Sequence, residues 1–272
     1  MELFFSPLFS GSSGNCLYVG DQRSHILVDA GVSASRILTS LRRIGVDPKT
    51  LSALLVTHEH SDHIKGIGIL SRKFDIPVYA TSGTWLAMED KIGSVSAENR
   101  RVIRPEEDFY IGDIDITAFP TPHDASEPVG FSFSLGEARF CVATDIGCVK
   151  DQWMEYVIGS DAVLLESNYD PNMLAAGPYP YALKQRIHSR RGHLSNDDAG
   201  KAAVRLVGSG TRFIILGHLS KENNFPELAL QIVSGKLEEA GYIIGRDADL
   251  IVAPRDESAG LFSLRSGFET DT

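Results

Sequence analysis

The sequence has few cysteines and no long apolar run. Its three cysteines, Cys16, Cys141 and Cys148, form no Cys-x-x-Cys pair, and an odd number favours reduced thiols over a disulfide framework. No segment approaches the roughly 20 apolar residues that a helix needs to cross a bilayer. Residues 1–10 lack the basic start and the apolar stretch of a secretory signal. These absences predict a cytoplasmic protein without membrane association.

Basic residues are also scarce relative to acidic ones. The 272 residues include 26 Lys and Arg against 36 Asp and Glu, which gives a net charge of −10. A protein that coats DNA needs a basic surface, so that class is disfavoured, although the charge neither supports nor excludes a nucleic-acid substrate. No repeat and no Pro/Gly/Ser-rich linker divides the chain. We therefore expect a single domain over residues 1–272.

Apolar runs alternate with helical patterns along the whole sequence. Strands are predicted at residues 3–5, 16–19, 25–28, 53–56, 114–119, 131–135, 139–143, 162–165 and 213–216, and near Leu250 and Leu261. Helices are predicted at residues 33–44, 62–73, 180–187, 196–207 and 226–240. This order predicts an α/β (α+β) protein in which two sheets are covered by helices on both outer faces.

The segment THEHSDH at residues 57–63 is the densest group of reactive side chains. It holds three of the eight histidines and an aspartate, and it directly follows the strand predicted at residues 53–56. Imidazole and carboxylate are ligands that divalent cations favour. A His-rich surface loop is the alternative, but such a concentration of histidines argues against it. Glu59, between two of the histidines, is expected to point away.

Three further candidates follow apolar strands in the same way. His123 comes after the strand at residues 114–119, Asp145 follows the run at residues 140–144, and His218 follows the strand at residues 213–216. A single His after a strand is more often structural than a ligand. Four strand ends that each offer an imidazole or a carboxylate favour a shared metal site instead.

This order of residues resembles the metallo-β-lactamase superfamily over essentially the whole chain. The resemblance implies a four-layer αββα sandwich that binds two divalent metal ions, with zinc, manganese and iron all compatible. It implies that one ion is held by His58, His60 and His123, that the other is held by Asp62, His63 and His218, and that Asp145 bridges the two. Zinc β-lactamases typically carry Cys or Ser at the position of Asp145, and di-iron oxygen-reducing members typically carry Glu at that of His60. Hydrolysis of an ester or phosphodiester is therefore expected.

A second resemblance concerns catalytic side chains. Gly192-His193-Leu194-Ser195 is similar to the Gly-His-Ser-Thr element of ribonuclease Z-like enzymes, whose His assists departure of the leaving group. Glu166 is similar to the Glu that orients this His. His193 and Glu166, together with Asp62, are thus expected to be catalytic. Alternatively, His193 merely precedes a helix capped by Ser195, and Glu166 ends a strand without a role.

Residues 171–196 contain no acidic residue. The same stretch carries four cations and two tyrosines, and cations interleaved with aromatic rings are typical of nucleic-acid grooves. A solvated helix face is the alternative. The cations expected to bind substrate are Lys184, Arg186, Arg190 and Arg191.

Two further segments resemble one branch of the superfamily. FSGSSGNC at residues 9–16, and the pair GHLSN and GHLSKENN at residues 192–196 and 217–224, look like the WalJ (YycJ) branch, which is regarded as DNA exonucleases acting from the 5′ end. Residues 10–15 are read first as a turn and second as a lining of the site. DNA is therefore the expected substrate, with RNA, endonuclease action and the oligomeric state left open. The alternatives are a small-molecule hydrolase of a thioester, lactone or cyclic phosphodiester, and a non-catalytic nucleic-acid-binding protein.

Overall fold

The computed structural model describes residues 1–265, so residues 266–272 of the expected domain lie outside the described residues. The strands are β1 (Glu2–Phe9), β2 (Cys16–Gly20), β3 (His25–Val28), β4 (Leu51–Leu55), β5 (Val78–Ala80), β6 (Arg100–Val102), β7 (Asp108–Ile111), β8 (Ile114–Pro120), β9 (Val129–Leu135), β10 (Ala138–Ala143), β11 (Ala162–Glu166), β12 (Phe213–Gly217), β13 (Asp249–Val252) and β14 (Phe262–Arg265). The α-helices are α1 (Ala34–Arg43), α2 (Ser61–Ile64), α3 (Ile67–Phe74), α4 (Ser82–Ile92), α5 (Asp151–Val157), α6 (Pro171–Ala176), α7 (Tyr181–His188), α8 (Asn196–Gly208) and α9 (Pro226–Glu239).

These strands form two seven-stranded mixed sheets. The first sheet has the order β14-β1-β2-β3-β4-β5-β6, and the second has the order β13-β12-β11-β10-β9-β8-β7. In the second sheet β8 and β10 are both antiparallel to β9, while β10, β11 and β12 are mutually parallel. The strands β8, β10, β11 and β12 therefore all end at one edge, and residues that follow them are brought together.

Alternating side chains divide each strand between two cores. In β4, Ala53 and Leu55 lie in the core between the sheets, whereas Leu54 faces the helical layer. In β11, Leu164 lies between the sheets and Leu165 faces the opposite helical layer. Burial on both faces explains why these strands are continuous apolar runs.

Helices cover the outer face of each sheet. Helices α1, α3 and α4 pack on the first sheet, with Ile37, Leu70 and Trp85 in their core. Helices α5, α8 and α9 pack on the second, with Trp153 and Leu206 in theirs. The molecule is a four-layer αββα sandwich, and the expected fold class is confirmed. No helix within residues 1–265 has both the length and the hydropathy to span a bilayer.

Most predicted elements are present, but one helix is divided. The predicted helix at residues 62–73 is two helices, because Gly66 lies against the loop that follows β3 and donates its backbone N–H to Ala30 O at 2.7 Å. The strands β5, β6 and β7 were not predicted; each has only three or four residues. The helices α4, α5 and α6 were not predicted either.

Candidate metal centre

The loops that follow β4, β8, β10 and β12 converge where the edges of the two sheets meet. All seven side chains predicted as metal ligands lie together there. Four groups of His and Asp or Glu side chains in this region have donor atoms within 4.8 Å of one another. His58, His63, His123, Asp145 and His218 are each no more than 3% exposed.

Three imidazole nitrogens face one another in the first group. His60 Nδ1 lies 3.0 Å from His58 Nε2 and 3.3 Å from His123 Nε2. The ring of His123 is held in place because its Nδ1 lies 2.9 Å from Gly192 O. A carbonyl oxygen only accepts, so Nδ1 carries the proton and Nε2 has a lone pair available to a metal ion. Three lone pairs directed at one point have the arrangement that a cation requires.

A second group lies beside the first. Asp62 Oδ2 is 3.5 Å from His63 Nε2 and 3.6 Å from His218 Nε2. Asp62 is the most open of these three residues, with 25% of its side chain exposed. This group therefore combines two buried imidazoles with a carboxylate that remains accessible from solvent.

Asp145 stands between the two groups. Its Oδ1 lies 3.6 Å from His123 Nε2 in the first group, and its Oδ2 lies 3.4 Å from His63 Nε2 in the second. Oδ1 also lies 3.6 Å from His218 Nδ1, so Asp145 lies close to members of both groups. The backbone of Asp145 is left-handed, with φ 57°, as is that of His218, with φ 56°. Such conformations are uncommon outside glycine and concentrate at functional sites.

Two buried polar atoms test whether a cation fits this cluster. Asp145 Oδ2 and His218 Nε2 have no hydrogen-bond partner among residues 1–265, although both atoms are inaccessible to solvent. Leaving a buried polar group unpaired costs about 1–3 kcal/mol, and more when the group is charged. A cation coordinated by these atoms removes that cost. The donor set is that of a divalent-metal site.

Burial and mutual charge shift the pKa values of the cluster in two directions. Burial first, and the neighbouring His63 second, hold the pKa of His58 well below its usual range. Burial also lowers the pKa of His60 and of His123. For His218 the effect of burial is outweighed by the carboxylate of Asp145 and by hydrogen bonds, and the pKa is raised to about 10. For His63 the carboxylates of Asp145 and Asp29 likewise outweigh burial, and the pKa is raised well above its usual range.

Asp29 is a site residue that the sequence reasoning missed. Its Oδ2 accepts a hydrogen bond from His63 Nδ1 at 2.8 Å, and its Oδ1 accepts from the backbone N–H of Thr57 at 2.9 Å. A carboxylate behind a ligand imidazole fixes the tautomer and increases its basicity. Asp29 directly follows β3, so the strand-end signal that identified Asp145 was also present here.

The Ser/Gly loop at residues 10–15 is both a turn and a support for the cluster. Gly14 N bonds Gly11 O at 2.9 Å, which closes the turn. Ser10 Oγ accepts the backbone N–H of His218 at 2.9 Å, and Asn15 Nδ2 lies 3.1 Å from His63 Nε2. The expected turn is present and Ser12 lines the cleft beside the cluster, while binding of phosphate by backbone N–H groups of this loop stays a prediction.

Glu166 and His193 form a hydrogen-bonded pair next to the cluster, with the His193 side chain 17% exposed. Glu166 is fully buried, and its Oε1 accepts from Nδ1 of His193 and of His218, each at 2.8 Å. Its Oε2 accepts from the backbone N–H groups of Ile146 at 2.8 Å and Leu194 at 3.1 Å. Burial acts to raise the pKa of Glu166, but the imidazole of His193 and these hydrogen bonds bring it well below its usual range. Ser195 does cap α8, as one alternative expected.

An open cleft of about 340 Å³ gives access to the cluster. Its walls include Asp62, Asp145, His193 and His218 on one side and Tyr179 and Arg186 of the acid-free stretch on the other. Arg186 is paired with Asp124, the residue after His123, with Nη2 to Oδ1 at 3.1 Å. Of the four basic side chains predicted to bind substrate, Arg186 alone is among the residues that line this cleft.

The other three basic side chains predicted to bind substrate lie outside this cleft. Arg191 donates to the carbonyl of His123 at 3.0 Å and to that of Ala125 at 3.4 Å, so it holds the loop that carries His123. Lys184 lines a separate pocket on the other side of α7. Arg190 is exposed in the turn after α7. For these three, a role in substrate binding stays a prediction.

Comparison with known proteins identifies the family. The sequence profile of the metallo-β-lactamase superfamily matches residues 10–218. The chain belongs to the metallo-β-lactamase superfamily. Within this superfamily it is 42% identical over 245 residues to exodeoxyribonuclease YycJ of Bacillus anthracis, which covers 90% of this chain and 93% of that protein. It is also 42% identical to exodeoxyribonuclease WalJ of Streptococcus pneumoniae, over 89% of this chain and 91% of WalJ. The resemblance stated from the sequence is confirmed.

Solved structures of the superfamily share the fold. The metallo-β-lactamase fold protein YhfI from Bacillus subtilis superimposes with a TM-score of 0.72, covering 96% of this chain and 99% of that one. The two sequences are 17% identical. This similarity concerns the architecture alone.

Proposed function

We propose that the chain is a divalent-metal-dependent exodeoxyribonuclease that hydrolyses DNA from the 5′ end. The observation that carries the substrate class is the 42% identity with YycJ, an exodeoxyribonuclease, over 93% of its length. The buried His and Asp cluster beside an open cleft supports hydrolysis as the reaction. The 5′ direction is expected from the resemblance of residues 9–16 to the WalJ (YycJ) branch.

The proposed ligand assignment follows the two groups of donor atoms. One ion would be held by His58, His60 and His123 and the other by Asp62, His63 and His218, with Asp145 available to both. Two divalent ions held there would supply activation of water for attack and stabilisation of charge on the phosphoryl oxygens. Zinc, manganese and iron all suit this mixture of imidazole and carboxylate.

Two side chains are proposed to move protons. Asp62 lines the cleft, and the charge of the neighbouring His63 and His218 outweighs its burial and keeps its pKa below the usual range. Its carboxylate is open to the cleft, where we propose that it accepts a proton from the attacking water. His193 has Nδ1 bound to Glu166, so Nε2 is the nitrogen left to protonate the departing oxygen. Glu166 orients this imidazole and keeps Nδ1 as the nitrogen that faces the carboxylate.

Arg186 is proposed to bind a backbone phosphate of the DNA. Its guanidinium already lies at the cleft wall beside Asp124, which limits the rotamers that it samples before substrate arrives. A planar guanidinium binds phosphate oxygens in pairs.

The proposal is tested with a substrate panel and defined metals. The panel holds 5′-phosphorylated duplex and single-stranded DNA, RNA of the same sequence, bis(p-nitrophenyl) phosphate and a glutathione thioester. We expect DNA to be degraded, with label at the 5′ end released first as mononucleotides. Turnover confined to the thioester, or to RNA, would overturn the proposal.

A further inference from the structure

A second pocket lies on the other side of α7 from the metal cleft. Its volume is about 400 Å³, and its walls include Tyr169, Leu174, Tyr181, Lys184 and His188. The residues of α7 face two different cavities, according to their positions around the helix. Tyr181, Lys184 and His188 line this pocket, whereas Arg186 and Ile187 line the metal cleft. One short helix thus separates the two cavities.

The side chains of this pocket combine rings with hydrogen-bond donors. Tyr181 is 77% exposed, so one face of its ring is available for stacking. Lys184 Nζ donates to Ala175 O at 2.7 Å, which leaves two further N–H groups for a ligand. His188 is held by the Tyr169 hydroxyl, 2.9 Å from Nδ1, so that Nε2 remains for a second partner.

Charge also favours an anionic, ring-containing ligand. The described residues that line the pocket include no Asp or Glu, although the protein as a whole carries a net charge of −10. A phosphate beside Lys184 therefore meets no carboxylate in the pocket. Aromatic rings that stack on bases, next to cations that contact the backbone, are how single-stranded nucleic acid is bound without sequence preference.

We propose that this second pocket binds an unpaired nucleobase of the DNA strand whose terminal nucleotide occupies the metal cleft. The base stacks on Tyr181, and its phosphate is bound by Lys184. An α-helix with its side chains is about 10–12 Å wide, so the strand must span α7 and the bound base lies a few nucleotides from the cut site. The inference rests on the proposed exodeoxyribonuclease function.

The test compares Tyr181→Ala with Tyr181→Phe and Tyr110→Ala. Tyr181→Phe keeps the ring, and Tyr110 is an exposed tyrosine on the edge strand β7, 66% exposed. KM and kcat are measured on 5′-phosphorylated single strands, from dinucleotides upward. Loss of one stacked base raises KM about tenfold for strands long enough to reach the pocket. We expect this rise for Tyr181→Ala only, with wild-type KM on dinucleotides and wild-type turnover of bis(p-nitrophenyl) phosphate.

A second experiment uses an abasic nucleotide to find which base of the strand occupies the second pocket. A single abasic nucleotide is moved stepwise away from the cut site, and KM is measured for the wild type and for Tyr181→Ala. In the wild type one position raises KM about tenfold, whereas the same position has no further effect in the variant. If the wild type degrades DNA but Tyr181→Ala has the same KM at every length, the pocket proposal alone is overturned. If the wild type degrades no DNA, the proposed function fails and the pocket proposal fails with it.

Discussion

Oε1 of Glu166 lies 2.8 Å from Nδ1 of His193. The same oxygen lies 2.8 Å from Nδ1 of His218. An ionised carboxylate only accepts hydrogen bonds, so both Nδ1 atoms carry protons. Both imidazoles therefore present Nε2 away from Glu166. For His218 this is the buried atom without a hydrogen-bond partner, and for His193 it is the nitrogen proposed to donate a proton.

Replacing His193 with Ala should separate proton transfer from metal binding. We expect kcat on DNA to fall about 100-fold or more, as is typical for loss of a general acid, while metal content per chain stays at the wild-type value. His25→Ala is the control, since His25 begins β3 and bonds Tyr18 instead of the cluster. Turnover is measured by release of labelled nucleotides and metal content by elemental analysis. Undiminished turnover in His193→Ala would remove this residue from the mechanism.

Replacing Glu166 with Gln should destabilise the site despite the similar shape. All four partners of Glu166 donate, so the amide group of Gln must face at least one donor. We expect the free energy of unfolding to fall by about 1–3 kcal/mol and metal affinity to fall about 10- to 100-fold. Both are measured, by denaturant titration and by competition with a chelating dye.

Glu59→Gln is the matched control for this change. Glu59 is also buried, but only its Oε1 accepts hydrogen bonds, from Ser126, and its Oε2 has no partner among residues 1–265. An amide nitrogen at that position breaks no bond, so stability should stay close to wild type. Equal losses in the two variants would contradict the proposed basis for the Glu166 effect.

Removal of metal should abolish activity and lower the melting temperature. A ligand that binds only the folded state at about 100 times its Kd stabilises it by about 2.7 kcal/mol. We therefore expect chelation to lower Tm by several degrees, and added divalent metal to restore both Tm and turnover. Differential scanning calorimetry with and without metal measures the shift. In Asp145→Asn the metal-dependent part of this shift should shrink, and a full shift there would argue against a shared ligand at Asp145.

Replacing Arg186 with Ala should weaken binding of DNA without affecting small substrates. Loss of one phosphate contact reduces the slope of log K against log salt by about 0.7 for single strands. KM for DNA should rise, while turnover of bis(p-nitrophenyl) phosphate stays at the wild-type value. Arg205→Ala is the control, because Arg205 lies on α8 and pairs with Asp151. An unchanged salt slope in Arg186→Ala would count against a phosphate contact.

Replacing Gly31 with Ala should disturb the second group of ligands through the backbone. A Cβ at Gly31 would lie 1.6 Å from the carbonyl oxygen of Asp62, so one loop must move. Such overpacking costs about 1–3 kcal/mol, and we expect lower metal affinity as well. Gly235→Ala is the control: it lies within α9 with no atom near its missing Cβ, and should stabilise the protein by about 0.5–1 kcal/mol. Calorimetry of both variants decides whether the close approach matters.

The sequence identified the cluster because each donor follows an apolar run. His123, Asp145 and His218 are far apart in the chain, but parallel strands end at a common edge and bring them together. Asp29 carried the same signal and was overlooked, since a single carboxylate after a short strand has no partner in the local sequence. Its bond to His63 depends on the pairing of β3 with β4, which is a tertiary contact.

Other features could not be predicted from local patterns. The break at Gly66 arises from a contact with Ala30, so nothing in the helical periodicity of residues 62–73 reveals it. Edge strand β6 has the sequence Arg100-Arg101-Val102, too short and too charged for a strand pattern. The sequence of the acid-free stretch did not show which way its basic side chains point. Lys184 and Arg186 line different cavities although they are two residues apart.

The left-handed backbone at Asp145 and His218 affects how mutational data on this enzyme should be read. Alanine is strained at positive φ, so an alanine scan at either position adds a conformational penalty to the chemical loss. Glycine adopts this region freely and, like alanine, has no coordinating side chain. Comparing the Gly and Ala variants at each position would therefore separate backbone strain from the loss of a coordinating atom.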